Sequence, residues 1–219
     1  MTESFRNASR SAEPQASAAP PPSPGAGRVP RHSTGLAEFS RYIEGQEHLR
    51  VLDLGATSPA NISYLIGLGH KVYNEDVLLA ASDARYRVKD EEGKPTVDAN
   101  RFLAENLDYM AGLLDAALCW DVPDYLPEVL VRPVVARLQR AMKPRGVLLF
   151  FFHTRDAGPD APYYRYHLRD RENLELQRGP AFRLQRVFQN RHIENLFRDF
   201  SSVKFFLARD NIREVVVVK

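Results

Sequence analysis

The chain has 219 residues, enough for one α/β domain with a core of useful size, and 44% of them are hydrophobic. Thirty basic side chains against 28 acidic ones leave a net charge of +2, so no global charge argument favours nucleic acid or an anionic membrane. The one cysteine, Cys119, excludes an internal disulfide, and no apolar run approaches the roughly 20 residues a transmembrane helix needs.

The first residues, MTESFRNASRSAEPQ, contain no apolar stretch of signal-peptide type, so a cytoplasmic location is the default expectation. Residues 1–34 are rich in Ala, Pro, Ser and Gly and nearly lack large apolar side chains. Such a segment buries too little surface to offset its ordering entropy, and a disordered tail is expected. A polyproline docking peptide around Pro20–Pro24 is the functional alternative.

Leu36, Phe39, Tyr42 and Ile43 have helical spacing and predict a lead-in helix. His48–Leu54 (HLRVLDL) reads as the first strand. Ser58 can cap the helix that follows, Pro59 suits its first turn, and Gly69 stops it. Lys71–Asn74 reads as a second strand. Residues 78–100 are polar and irregular, with KDEEGKP as an exposed loop. Leu114–Trp120 (LDAALCW) is a third apolar run, followed directly by Asp121.

Val129–Met142 predicts a helix ended by Lys143-Pro144-Arg145-Gly146. Val147–His153 (VLLFFFH) is apolar without alternation, as expected of a strand buried on both faces. An insert over about 156–186 contains two alternating stretches, YYRYHLRD and NLELQRG, which predict an extra hairpin at the edge of the site. Val187–Phe200 is read as an amphipathic helix. Val203–Leu207 and Glu214–Val218 are read as strands close enough for a hairpin. The alternation argues for a doubly wound parallel sheet closed by an antiparallel hairpin.

Ligands of such sheets lie at the carboxyl ends of the strands. The turn Asp53-Leu54-Gly55-Ala56-Thr57-Ser58-Pro59 leads into a helix whose first N–H groups point toward that edge. It has one glycine where G-x-G-x-x-G needs three, which disfavours a nicotinamide dinucleotide. The segment VLDLGATSPANI resembles motif I of the class I S-adenosylmethionine (SAM)-dependent methyltransferases, with Asp53 and Gly55 at the acidic and first glycine positions. Thr57 and Pro59 stand in place of the second and third glycines.

LGHKVYNEDVL resembles the family's second strand, whose terminal carboxylate grips the ribose diol. Asp76 matches by spacing, and Glu75 competes with it. FLAENLDYM resembles the adenine-reading segment and puts Asn106 and Leu107 in that role. LLDAALCWDVPDYLPEVLVRPVVARLQRAMKPRGVLLFFFHT and RDNIREVVVVK resemble the family's fourth and fifth strands and its closing hairpin.

The resemblance spans about residues 36–219 and implies a Rossmann-like sheet of seven strands. It implies SAM as cofactor, bound by Asp53, Gly55, Ala56, Glu75, Asp76, Asn106, Leu107 and Trp120. Asp121 and His153, at strand ends, are the candidate catalytic residues, each also readable as structural. No metal-ligand spacing is present. Cys119 reads as a buried hydrophobe, and neither a Pro-Cys nucleophile nor an Asn-Pro-Pro-Tyr motif occurs. From Arg165 to Arg198 eight arginines face four acids, which suits an anionic methyl acceptor or a solvated face. The motif I replacements motivate one alternative, a non-catalytic interaction protein on a degenerate methyltransferase fold.

Overall fold

A computed structural model describes residues 27–155, 163–179, 182–208 and 210–219. Its main sheet contains β2 (Arg50–Asp53), β3 (Lys71–Asn74), β6 (Leu114–Trp120), β7 (Met142–His153), β10 (Ser202–Leu207) and β11 (Ile212–Val218). Their order is β10-β11-β7-β6-β2-β3. β7, β6, β2 and β3 run parallel, while β11 is antiparallel to both β7 and β10. The closing hairpin is therefore as expected, but among the described residues the sheet has six strands, not seven. The chain after β3 instead forms α3 (Val77–Ala81), a 3-10 turn, a separate small hairpin of β4 (Arg87–Lys89) and β5 (Pro95–Val97), and α4 (Ala99–Asn106).

β7 explains why its sequence lacks alternation. Phe150 and Phe152 pack with Phe197 and Phe188 on one face, while Phe151 meets Trp120 and Tyr166 on the other. The first face is covered by α3, α4, α5 (Val122–Tyr125), α6 (Glu128–Ala141) and α7 (Asn190–Leu196). The second is covered by α1 (Thr34–Ile43), α2 (Pro59–Gly67) and a second sheet. Both α1 and α2 start where a serine caps them: Leu36 N–H donates to Ser33 Oγ at 3.0 Å and Asn61 N–H to Ser58 Oγ at 3.2 Å.

The second sheet has the order β1-β9-β8, all antiparallel, from β1 (Val29–His32), β8 (Tyr164–Leu168) and β9 (Asn173–Arg178). The β8–β9 hairpin is the one expected in the insert. β1 corrects the expected tail: Val29–His32 pairs with β9, with Val29 opposite Leu176. Residues 1–26, with the Pro20–Pro24 stretch, lie outside the described residues. Arg31 anchors β1. It is 9% exposed, its Nη1 lies 2.6 Å from Glu214 Oε1, and its Nε donates to Asp210 at 2.5 Å. The Glu214 contact is coulombic, since neither atom meets hydrogen-bond geometry.

Two helix boundaries also differ. α6 stops at Ala141, and β7 begins at Met142, with Arg145 at φ +66° in the turn. α7 spans only Asn190–Leu196 rather than Val187–Phe200, and ahead of it the Gln185 and Arg186 N–H groups donate to the Asp124 carbonyl.

Candidate functional site

The parallel register sets Asp53 of β2 beside Asn74 of β3 and Leu118 of β6, so the loop from Asp53 to Ser58 and the Glu75–Asp76 pair share the carboxyl edge. Asn74 pins the loop. Its amide donates to the carbonyls of Asp53 at 3.1 Å and Gly55 at 3.3 Å, and its Oδ1 accepts from Thr57 Oγ1 at 2.5 Å. Asn61 pins it from below. Its amide donates to Asp53 Oδ2 at 2.7 Å and to the Tyr166 carbonyl at 3.0 Å, and its Oδ1 accepts from Leu168 N–H at 2.6 Å. The insert hairpin is thus docked on the first turn of α2. His167 completes the joint: its Nε2–H faces the acceptor Gln177 Oε1 at 3.0 Å, which leaves Nδ1 to accept from Ser58 Oγ at 2.7 Å.

Asp53 is fully buried, and its second oxygen accepts from Trp120 Nε1 at 2.7 Å. Burial pushes its carboxyl up to about 6, against the lowering effect of these hydrogen bonds. Trp120 reaches it because a register shift between Leu118 and Trp120 and a φ of +49° turn the indole off the strand. A Cβ on residue 55 would lie 2.7 Å from Trp120 Cδ1, so the glycine is required by a packed indole. Tyr166 stacks on that indole at 5.0 Å and 8°. The Tyr163 phenol is buried beside Ala56, and burial opposes its ionisation. Gly55 and Ala56 are therefore both covered by aromatic side chains.

Asp76 caps α3, accepting from Leu79 N–H at 3.0 Å, and Glu75 accepts from Tyr109 at 2.8 Å. Asn106 and Leu107 sit at the end of α4, not at a strand tip. The Asn106 amide donates to Tyr86 at 2.9 Å and to the Phe102 carbonyl at 2.8 Å, and Leu107 is fully buried in the core. The segment whose resemblance implied adenine reading is thus a helix capped by Asp98, with Leu107 as its exit.

Asp121, Asp124 and His153 form a buried polar cluster beyond β6 and β7. Asp121 Oδ2 accepts from Tyr166 at 3.0 Å; Asp124 Oδ2 accepts from the His153 N–H at 2.6 Å and pairs with its Nδ1 at 2.8 Å. Asp121 Oδ1, Asp124 Oδ1 and the Tyr125 hydroxyl have no partner among the described residues. Burial raises the Asp121 carboxyl to about 7 and raises Asp124, while the Asp124 hydrogen bond raises His153 against its own burial.

These shifts share one sign. A group whose folded pKa exceeds its unfolded value stabilises fully below the unfolded value and loses that contribution as pH rises through the folded one. Asp53, Asp121 and His153 all belong to that class. The melting temperature is expected to fall between pH 5 and pH 8, and Asp121→Asn is expected to flatten the slope, both read by thermal unfolding across pH. Below about pH 4 the opposite contribution takes over, because Glu38 and Asp170 are held low by Lys204 and by the Glu172 amide, respectively.

No protein-family model matches the chain, and no curated protein matches it. Solved structures do. A SAM-dependent methyltransferase from Archaeoglobus fulgidus superposes with a TM-score of 0.50 at 12% identity, over 84% of this chain and 91% of that one. The fold is that of the class I methyltransferases. A second similar structure is the 1,6-didemethyltoxoflavin-N1-methyltransferase of Burkholderia thailandensis, holding 1,6-didemethyltoxoflavin and S-adenosylhomocysteine. It has a TM-score of 0.49 and 16% identity over 84% of this chain and 76% of that one. A third, a SAM-dependent methyltransferase from Methanosarcina mazei, has a TM-score of 0.47 and 15% identity over 83% and 96% of the two chains.

The structure gathers Asp53, Gly55, Ala56, Glu75, Asp76 and Trp120 at one edge, with Asp121 and His153 beside them. Asn106 and Leu107 lie at the end of α4, with the Asn106 amide bonded to Tyr86 and the Phe102 carbonyl. Asn61, Asn74, Tyr163, Tyr166 and Asp124 escaped the sequence reading. Asp124 had a usable signal, since Asp121 and Asp124 are three residues apart in WDVPDYL and fall on one turn. The arginines between Arg165 and Arg198 are dispersed: Arg169 pairs with Glu175, Arg171 with Glu44, and Arg198 with Asp199. Cys119 is buried and free, and burial pushes its thiol up. Among the described residues no group of three potential ligands holds a metal, and no helix is long and apolar enough to cross a membrane.

Proposed function

We propose that the chain is a SAM-dependent methyltransferase with its donor site at the carboxyl edge of β2 and β3, acting on an acceptor of unassigned class. The observation that carries this reading is the adjacency of the Gly55 loop to the Glu75–Asp76 pair, imposed by the parallel β2–β3 register. Asp76 gives one oxygen to the α3 cap and keeps the other for a ribose diol. When bound, SAM would supply an activated methyl on a sulfonium, passed in line to the acceptor as the methyl–sulfur bond breaks and S-adenosylhomocysteine leaves. The chain's share is positioning and exclusion of water.

Isothermal titration with S-adenosylhomocysteine tests the reading. Saturable binding is expected, and Asp76→Ala, which removes charge-assisted bonds, is expected to weaken it about 10- to 100-fold. Equal binding by the variant overturns the ribose assignment. A second reading, a non-catalytic interaction protein on this fold, is favoured by the Trp120 and Tyr163 packing over Gly55 and Ala56. It predicts no binding by the wild type and none on trimming Tyr163 to alanine.

A further inference from the structure

Between Arg183 and Arg198 four arginines stand against one acid, Glu194. There α6, α7 and the stretch 185–188 enclose a hollow of about 430 Å³, and a smaller one of about 130 Å³ continues it along the two helices. Both hollows are lined by Arg132, Asn195 and Leu196, so they form one groove. Glu128 borders one end and Gln139 the other. Along α6 that separation is about 16 Å, the span of about five residues of extended peptide.

Arg186 is fixed at the side of this groove. Its backbone N–H donates to the Asp124 carbonyl at 3.3 Å, and its Nη2 reaches the Leu126 carbonyl at 3.5 Å. The guanidinium lies 5.7 Å from the centroid of the Phe188 ring. Its side chain is 23% exposed, and its one carboxylate neighbour among the described residues is Glu128, 4.0 Å away and itself 91% exposed. Nε and Nη1 bond nothing among the described residues. Unlike the enclosed Arg165 Nε, both keep surface open to solvent. Arg198 meets Asp199 at 3.7 Å with both side chains well exposed, and Arg132 has no ion pair among the described residues. Pairs of that kind neutralise little charge.

The groove therefore offers a positioned, incompletely paired guanidinium with two further arginines along the same line. Between them Ala136, Val187 and Leu196 present apolar surface that is at least partly exposed. Aliphatic surface suits the side chains of a peptide. Nucleic-acid bases favour open aromatic faces, and Phe188 is 9% exposed beneath Arg186. A net charge of +2 over the whole chain adds no general attraction to a phosphate backbone.

We propose that the α6–α7 groove docks an acidic peptide segment of a partner protein, with carboxylates on Arg132, Arg186 and Arg198 and aliphatic side chains against Val187 and Leu196. Arginine forks hold carboxylates in paired hydrogen bonds, and the apolar contacts set the register. The groove shares no lining residue with the proposed donor edge, so it stands or falls independently of the methyltransferase reading.

The probe is a fluorescein-labelled peptide, LDELEDL, with LNQLQNL as its neutral counterpart and an oligothymidylate as the nucleic-acid alternative. Each is titrated to about 1 mM at low salt, by anisotropy and by amide resonances of the protein. LDELEDL is expected to bind saturably, at least fivefold tighter than LNQLQNL, and to shift resonances of α6, α7 and 185–188. Arg132→Gln/Arg186→Gln is expected to weaken it at least fivefold. If that variant fails to fold, Arg132→Glu/Arg198→Glu, at two exposed positions, decides in its place. No saturable binding, equal binding of the neutral peptide, undiminished binding by the variant, shifts confined to other elements, or tighter binding of the oligothymidylate overturns the proposal.

Discussion

Trp120→Ala is expected to lower the unfolding free energy by about 3–5 kcal/mol, the range for removing a fully packed aromatic side chain. Three losses combine. The indole stops filling the space against Gly55, Tyr166 loses its stacking partner, and Asp53 keeps a buried oxygen without its donor. For a domain of this size the melting temperature drops by roughly 6–20 °C. Trp120→Phe separates the contributions, since it keeps a ring and removes only the indole donor, so its effect is expected to be clearly smaller. A Trp120→Ala protein melting within about 2 °C of wild type contradicts the packing described for this loop.

Removing Glu214 is expected to produce the second large effect. Glu214 is 1% exposed, and it holds three groups from the segment entering α1: the Arg31 guanidinium, Ser33 Oγ at 3.0 Å and the Gly35 amide at 2.5 Å. Glu214→Ala leaves the Arg31 charge with only the half-exposed Asp210 and is expected to cost about 3–5 kcal/mol. Because β1 reaches the domain through this contact, the variant is also expected to become sensitive to limited proteolysis before residue 34. Arg31→Met in the same background is expected to recover part of the loss, since no unpaired charge then stays buried. If Glu214→Ala melts as wild type and resists protease equally, β1 is held by something other than this pair.

How far such features show in a sequence depends on how local their cause is. β7 was legible because VLLFFFH must satisfy burial on both faces whatever surrounds it. The α2 start was legible because Ser58 and Pro59 act within one turn. The two stretches of the insert hairpin carried their own alternation. β1 was hidden because Val29–His32 sits in a Pro- and Ala-rich stretch, and what orders it is pairing with Leu176 and burial of Arg31 against Glu214, both distant in sequence. α7 was overextended because the residues before it look helical, while the Asp124 carbonyl takes the N–H groups of Gln185 and Arg186.

The site divides the same way. Asp53 and Gly55 were singled out from the turn after the first strand, and Asp76 from the resemblance at the end of the second. Their partners were not, because Asn61 joins Asp53 to Tyr166 across more than a hundred residues of chain. Gly55 was found for one reason and is explained structurally by another. A ligand approaching the backbone was expected, and a neighbouring indole is what requires the absence of a Cβ. Asn106, singled out by motif resemblance, lies on a helix end, where its amide closes onto Tyr86 and the Phe102 carbonyl.

Trp120 is the only tryptophan, so the protein has one indole N–H resonance, and that indole packs on the loop where the donor is proposed to bind. Titrating S-adenosylhomocysteine while following this resonance is the most direct test. A saturable shift, weakened in Asp76→Ala, is the expected result; an indole signal that stays fixed at millimolar ligand contradicts a donor site at this edge.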